Sequence, residues 1–190
     1  RLFSAALEVL GNSNSSGGST ITQQLARNIY LTDVKSERSI ERKIREAYYT
    51  LKIESSLTKE QILEAYLNTI YLGFNSNGID AAAHAYFNKD VQDLTLLESA
   101  VLASLPQSPN SYAPMKRIAA SEVADDDESY DVISKTDDWI IYYNNGGETR
   151  VDLVLKFMYE QEKISQEEYE EAKRWALEKI DQIEDEEFFI

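Results

Sequence analysis

Residues 17–28 read GGSTITQQLARN. Two glycines lead into Ser19, Thr20 and Thr22, then Gln23 and Gln24, with Arg27 four residues after Gln23. Glycine lets a ligand approach the backbone, and the first turn of a helix leaves amide N–H groups unpaired. Together with the hydroxyls, the side-chain amides and one cation, that makes a donor-rich anion site. The competing interpretation is an ordinary N-cap, in which a Ser or Thr after Gly closes a helix end.

The next helical stretch bears on that choice. Arg38, Arg42 and Arg45 fall at i, i+4 and i+7, which is one helix face, and Glu46 stands four residues after Arg42. Ile40, Ile44, Ala47 and Leu51 are expected to form the opposite, buried face. Such a stripe is often a solvated face. In an acidic chain, three aligned arginines suit bidentate contacts to phosphate. A phosphate-bearing substrate between this helix and residues 17–28 is the sharper expectation.

Helical periodicity dominates the elements that would position these groups, and strand alternation is nearly absent. Helices are expected near 2–10, 22–30, 37–54, 59–72, 79–87, 95–104, 151–162 and 166–182. Thr58 with Gln61, Thr95 with Glu98 and Ser165 with Glu168 have the spacing of capping boxes. Pro106, Pro109 and Pro114 predict an extended crossing between helices. Residues 116–149 stand apart, with Asp125-Asp126-Asp127-Glu128 and Asn144-Asn145-Gly146-Gly147, and read as a long acidic insertion outside the core.

The chain has 190 residues, 43% of them hydrophobic, enough for one domain with a real core. It has no cysteine, so neither a disulfide framework nor thiolate chemistry is available. No apolar run is long enough to span a bilayer, and no signal peptide is visible. A net charge of −15 argues against nucleic acid as a partner. The charge is uneven: residues 1–60 carry a net of +2 and residues 61–190 a net of −17. The opening at Arg1-Leu2-Phe3, without an initiating methionine, reads as a fragment of a longer protein.

Other candidates are weaker. His84 is the only histidine and makes neither a metal site nor a triad. Ser56-Leu57-Thr58-Lys59 has a transpeptidase-like Ser-x-x-Lys spacing but no Lys-Thr-Gly partner, and Thr58 is better explained as a cap. Asp125-Asp126-Asp127 reads as a solvated loop. Glu64, Tyr66 and Asn68 receive no chemical role.

Gly18-Ser19-Thr20-Ile21-Thr22-Gln23-Gln24 resembles the second signature motif of glycosyltransferase family 51, the peptidoglycan glycosyltransferases found alone or at the front of bifunctional penicillin-binding proteins. Arg42-Lys43-Ile44-Arg45-Glu46 resembles the third. Lys59-Glu60-Gln61-Ile62-Leu63-Glu64-Ala65-Tyr66-Leu67-Asn68 resembles the fourth, and Arg150 with Val154, Leu155 and Met158 the fifth. Order and approximate spacing agree across residues 1–115 and 150–175.

The resemblance implies an all-α, lysozyme-like helical domain with the acidic insertion, making residues 1–190 a partial peptidoglycan glycosyltransferase domain. It implies work at the outer face of the bacterial membrane, anchored by a segment upstream. The implied substrates are lipid II, a disaccharide-pentapeptide on a polyprenyl diphosphate, and the nascent glycan strand. Moenomycin-type inhibitors would mimic the diphosphate. On this resemblance Ser19, Thr20, Gln23, Gln24, Arg27, Arg38, Arg42, Lys43, Arg45, Gln107 and Arg150 are assigned to substrate. Lysine is commoner than arginine at the positions of Arg27 and Arg45, and glycine is usual where Asn88 stands.

The resemblance also implies two carboxylates. Glu46 matches the one that assists the diphosphate leaving group, directly or through bound cations. The general base belongs to an opening motif, an acidic pair followed by an aromatic and His-x-Gly, and nothing like it precedes Gly17. The fragment is therefore expected to be inactive. No organic cofactor is implied, and a divalent cation near the diphosphate is compatible with the family. The rivals are a lysozyme-like glycan hydrolase, which needs two carboxylates about the scissile bond, and a non-catalytic helical module that binds lipid diphosphate.

Overall fold

The computed structural model describes residues 19–35, 37, 39–124 and 129–182, with the backbone alone for 175–182. The chain divides into two compact units after Ile70.

In the first unit, Thr20 starts helix α1 (Ile21–Tyr30) with a full capping box. Gln23 N–H donates to the Thr20 hydroxyl at 3.2 Å, and Thr20 N–H donates to the Gln23 side chain at 3.1 Å. Ser39 caps α2 (Ile40–Ser56), and Thr58 with Gln61 caps α3 (Lys59–Thr69). Helix α1 packs against both α2 and α3. Leu25, Ala26, Ile53, Ile62 and Tyr66 are buried there. Each such large side chain contributes about 1.5–3 kcal/mol of burial.

Helix α2 corrects the expected pattern. Ile40, Ile44 and Leu51 are 62%, 65% and 56% exposed, while Arg42, Glu46, Thr50 and Ile53 are buried. A polar face can point inward only if its groups find partners. Here they do. Glu46 meets cations from α1 and α2, and the Thr50 hydroxyl donates to the Glu46 carbonyl at 2.7 Å.

The second unit opens with a tight turn in which Gly73, Phe74 and Asn75 all have positive φ (85°, 46° and 61°), closed by a bridge between Tyr71 and Asn77. Gly73 has a second reason to be glycine: a Cβ there would lie 2.8 Å from the Tyr86 hydroxyl oxygen. Helix α4 (Ile79–Phe87) ends on Asn88 in the left-handed conformation, which asparagine tolerates. Helix α5 (Leu96–Ser104) packs with α7 (Glu148–Glu160) and α8 (Gln166–Gln182) around Ala100, Val151, Leu155 and Ala172.

The described helices begin and end within three residues of the expected ones, except that 2–10 lies outside the described residues. Two expectations need correction. The proline segment is not extended: Pro106 sits in a 3₁₀ turn, Leu105–Gln107, and Pro109 opens the short helix α6 (Pro109–Tyr112). Proline's fixed φ suits the first turn of a helix, where its missing N–H costs nothing.

The acidic insertion, in turn, carries a three-stranded antiparallel sheet of β1 (Met115–Ala119), β2 (Val132–Lys135) and β3 (Trp139–Tyr143), in the order β1-β3-β2. Ile140 of β3 is 2% exposed, so the segment buries apolar surface rather than only solvating charge. Among the described residues the architecture is mostly helical with this one small sheet.

Candidate functional site: a buried carboxylate held by three cations

Glu46 is 1% exposed, although a lone buried carboxylate would be strongly destabilising. Arg42 Nη1 donates to Oε2 at 2.6 Å, and Lys43 Nζ donates to Oε1 at 2.6 Å. Arg27 Nε lies 3.1 Å from Oε2 as an ion pair, without the direction of a hydrogen bond. Three cations surround one anion, so the cluster keeps an excess of two positive charges.

Residue spacing builds this arrangement. Arg42 and Lys43 reach Glu46 from one turn earlier on α2, and Arg27 approaches from the last turn of α1. Arg42 is fixed further by its Nε, which donates to the Glu37 carbonyl. Arg42 is almost wholly buried. The side chains of Arg27 and Lys43 stay 27% and 29% exposed, so they can also meet a ligand. Lys43 Nζ reaches a second partner, the Ser19 hydroxyl, at 3.1 Å. That contact brings the positive excess to the segment entering α1, whose free N–H groups and dipole also favour an anion.

The sequence-named residues divide. Ser19, Arg27, Arg42, Lys43 and Glu46 come together. Thr20 and the side-chain oxygen (Oε1) of Gln23 are engaged in the capping box, so here the N-cap interpretation describes the geometry. Gln24 accepts from the Tyr66 hydroxyl at 3.3 Å, and burial pushes that phenol's pKa up. Arg45 makes no contact around Glu46. It pairs with exposed Glu41 at 2.6 Å, itself 52% exposed, which divides the expected Arg42–Arg45 stripe. Arg38, Gly17 and Gly18 lie outside the described residues.

Gln107 and Arg150 belong to the second unit. Gln107 is exposed at the end of its 3₁₀ turn. Arg150 is half-buried in the first turn of α7, and its buried Nε has no hydrogen-bond partner among the described residues. His84 is a surface residue 3.3 Å from Asp90. Among the described residues no group of three or more His, Cys, Asp and Glu is placed to hold a metal, and no helix is long and apolar enough to cross a membrane.

Sequence reasoning missed Tyr66 as the partner of Gln24, the Glu37 carbonyl as the anchor of Arg42, and Thr50 as the support beneath Glu46. Nothing in spacing marks a backbone carbonyl. The i+4 step from Glu46 to Thr50 was a usable signal, since threonine commonly donates back one turn.

The chain is 43% identical over 156 residues to penicillin-binding protein 1A of Aquifex aeolicus, covering 82% of this chain and 18% of that protein. It is 53% identical over 106 residues to penicillin-binding protein 1A of Clostridium acetobutylicum, covering 55% and 13%. With the Escherichia coli protein of the same name it shares 50% over 115 residues, covering 60% and 13%. The chain thus spans less than a fifth of the length of these relatives. The sequence profile described as Transglycosylase matches residues 1–133, which include every residue of the Glu46 cluster. On that match, the chain belongs to the transglycosylase family.

Proposed function

We propose that this chain supplies the diphosphate-binding and leaving-group machinery of a peptidoglycan glycosyltransferase. Its donor substrate is a disaccharide-peptide on a polyprenyl diphosphate, lipid II or the growing glycan strand, met at the outer face of the bacterial membrane. The observation that carries the reading is the Glu46 cluster, a rigid group with two surplus positive charges beside the start of α1.

In the reaction, the acceptor's 4-hydroxyl oxygen bonds to the donor's anomeric carbon with inversion as the bond to diphosphate breaks. The hydroxyl proton goes to a base outside this cluster, and polyprenyl diphosphate leaves. Negative charge grows on the departing diphosphate. Lys43 and Arg27, partly exposed and already oriented, stabilise it without reorganising, and the Ser19 hydroxyl adds a donor. Glu46 works through these cations: its carboxylate holds the ammonium and guanidinium groups where the diphosphate needs them.

A divalent cation fits this cluster poorly. Both oxygens of Glu46 are engaged by protein cations, so no free carboxylate edge remains for a metal, and no step runs through one. The same positive surface should accept a phosphoglycolipid such as moenomycin.

Titration calorimetry with a soluble short-chain lipid II analogue and with inorganic pyrophosphate tests the proposal. Losing one charge-assisted contact costs ~1.5–3 kcal/mol, so Lys43→Ala should weaken both ligands by roughly 10- to 100-fold. Arg45→Ala should cost several-fold less, since Arg45 acts only as a distant charge. Equal binding by Lys43→Ala and the parent would overturn the assignment.

A further inference from the structure

The second unit contains a cleft of about 240 Å³ along strand β1, lined in part by Asn75, Asn110, Met115, Lys116 and Arg117. Strand β1 is an edge strand: β3 pairs with one side, and among the described residues no strand pairs with the other. The register says which backbone groups that free side offers. Asn144 N–H donates to the Pro114 carbonyl and Ala120 N–H to the Asp138 carbonyl, so even-numbered residues of β1 bond to β3. The N–H and C=O groups of odd-numbered residues therefore point away from β3. Met115 is 5% exposed and its groups are covered, so Arg117, which is exposed, offers the free edge along the cleft.

The side chains around this edge share a character. Lys116 and Arg117 have no acidic partner among the described residues, in a chain of net charge −15. The Arg117 guanidinium is held 4.8 Å over the Trp139 ring rather than by a carboxylate. Across the cleft, the Tyr71 hydroxyl donates to Asn110 Oδ1 at 3.1 Å, which leaves the Asn110 amide hydrogens available. Asn75 is exposed on a left-handed turn position. Phe74 and Tyr142 supply aromatic surface.

Unpaired strand polarity, side-chain amides, apolar surface and two cations without an acidic partner among the described residues together match one ligand chemistry. We propose that the cleft takes a short extended peptide ending in a free carboxylate, added as a fourth strand along the outer edge of β1. The peptide's amide groups pair with the exposed backbone of Arg117, and its carboxylate meets Lys116. An isolated phosphate would use the cations but leave the strand edge unpaired.

The site does not depend on the glycosyltransferase reading, and its probe carries neither sugar nor phosphate. The 190-residue chain is titrated with acetyl-trialanine and with its C-terminal amide, followed by NMR and amide hydrogen exchange. A charge-assisted contact should make the acid bind roughly tenfold more tightly than the amide. Binding of the acid should slow exchange of the Arg117 amide. Lys116→Gln should erase the difference between acid and amide without altering pyrophosphate binding at the Glu46 cluster. Absence of binding at millimolar peptide, equal affinity for acid and amide, unchanged exchange at Arg117, or displacement of the peptide by pyrophosphate would each overturn the proposal.

Discussion

At the scale of single residues, Glu46 and Arg45 make a controlled contrast. They are neighbours in sequence, and each forms an ion pair at 2.6 Å, yet one is buried and the other solvated. Breaking a buried ion pair leaves an uncompensated charge and costs about 3–5 kcal/mol, whereas an exposed pair contributes about 0–1 kcal/mol. Glu46→Ala should therefore lower unfolding stability by about 3–5 kcal/mol in a urea titration, and Arg45→Ala by less than about 1 kcal/mol. Indistinguishable midpoints would mean that the cluster is solvated. The arginine spacing in the sequence predicted one shared face, but the boundary between faces falls between Arg42 and Arg45, three residues apart. Position on a helical wheel cannot say which side of such a boundary reaches a partner. Arg27, which arrives from another helix, decides that.

At the scale of elements, capping chemistry was the most legible feature, because the donors and acceptors lie within one turn of each other. Thr95 and Glu98 form their box as spaced, with Glu98 N–H donating to Thr95 at 3.3 Å and Thr95 N–H donating to Glu98 at 2.8 Å. Thr95→Ala should cost about 1 kcal/mol. Partial burial raises the pKa of the Glu98 carboxyl. Hydrogen bonds from Lys89 and Thr95 outweigh that and hold it below its ordinary value. A carboxylate depressed in the folded state contributes stability above its unfolded pKa and loses it as pH falls through the folded value. Stability of the parent should thus fall as acid protonates Glu98, and Glu98→Gln should flatten that part of the profile. A pH-dependent urea series checks the sign. The sheet was far less legible. Trp139-Ile-Ile-Tyr-Tyr is a continuous β-branched and aromatic run without alternation, and its partners lie up to 28 residues away in register with Met115. The surrounding acidic residues drew attention to solvation, while pairing across the chain set the structure.

At the scale of the whole molecule, charge acts with opposite sign on folding and on binding. The net of −15 repels itself, and the surplus falls in residues 61–190. Salt screens exposed charges beyond about 8–10 Å. Raising ionic strength should therefore raise the melting temperature by relieving self-repulsion. The same change should weaken pyrophosphate binding, because that contact rests on two surplus positive charges. Calorimetric melting and titration in matched buffers give both signs. A melting temperature that fell in step with affinity would show that ion pairing, not net repulsion, governs the fold.

The inverted packing of α2 has a consequence for how this protein tolerates change. In a saturation mutagenesis screen for soluble expression, hydropathy would misjudge the permissive positions. Ile40 and Ile44 should accept lysine, glutamate or glutamine, because their side chains are mostly in water. Arg42 and Thr50 should reject leucine and valine, which suit a buried position but remove a hydrogen bond to Glu46. Divergent relatives aligned by hydrophobic pattern alone would slip in register along this helix, and only the polar positions would restore it.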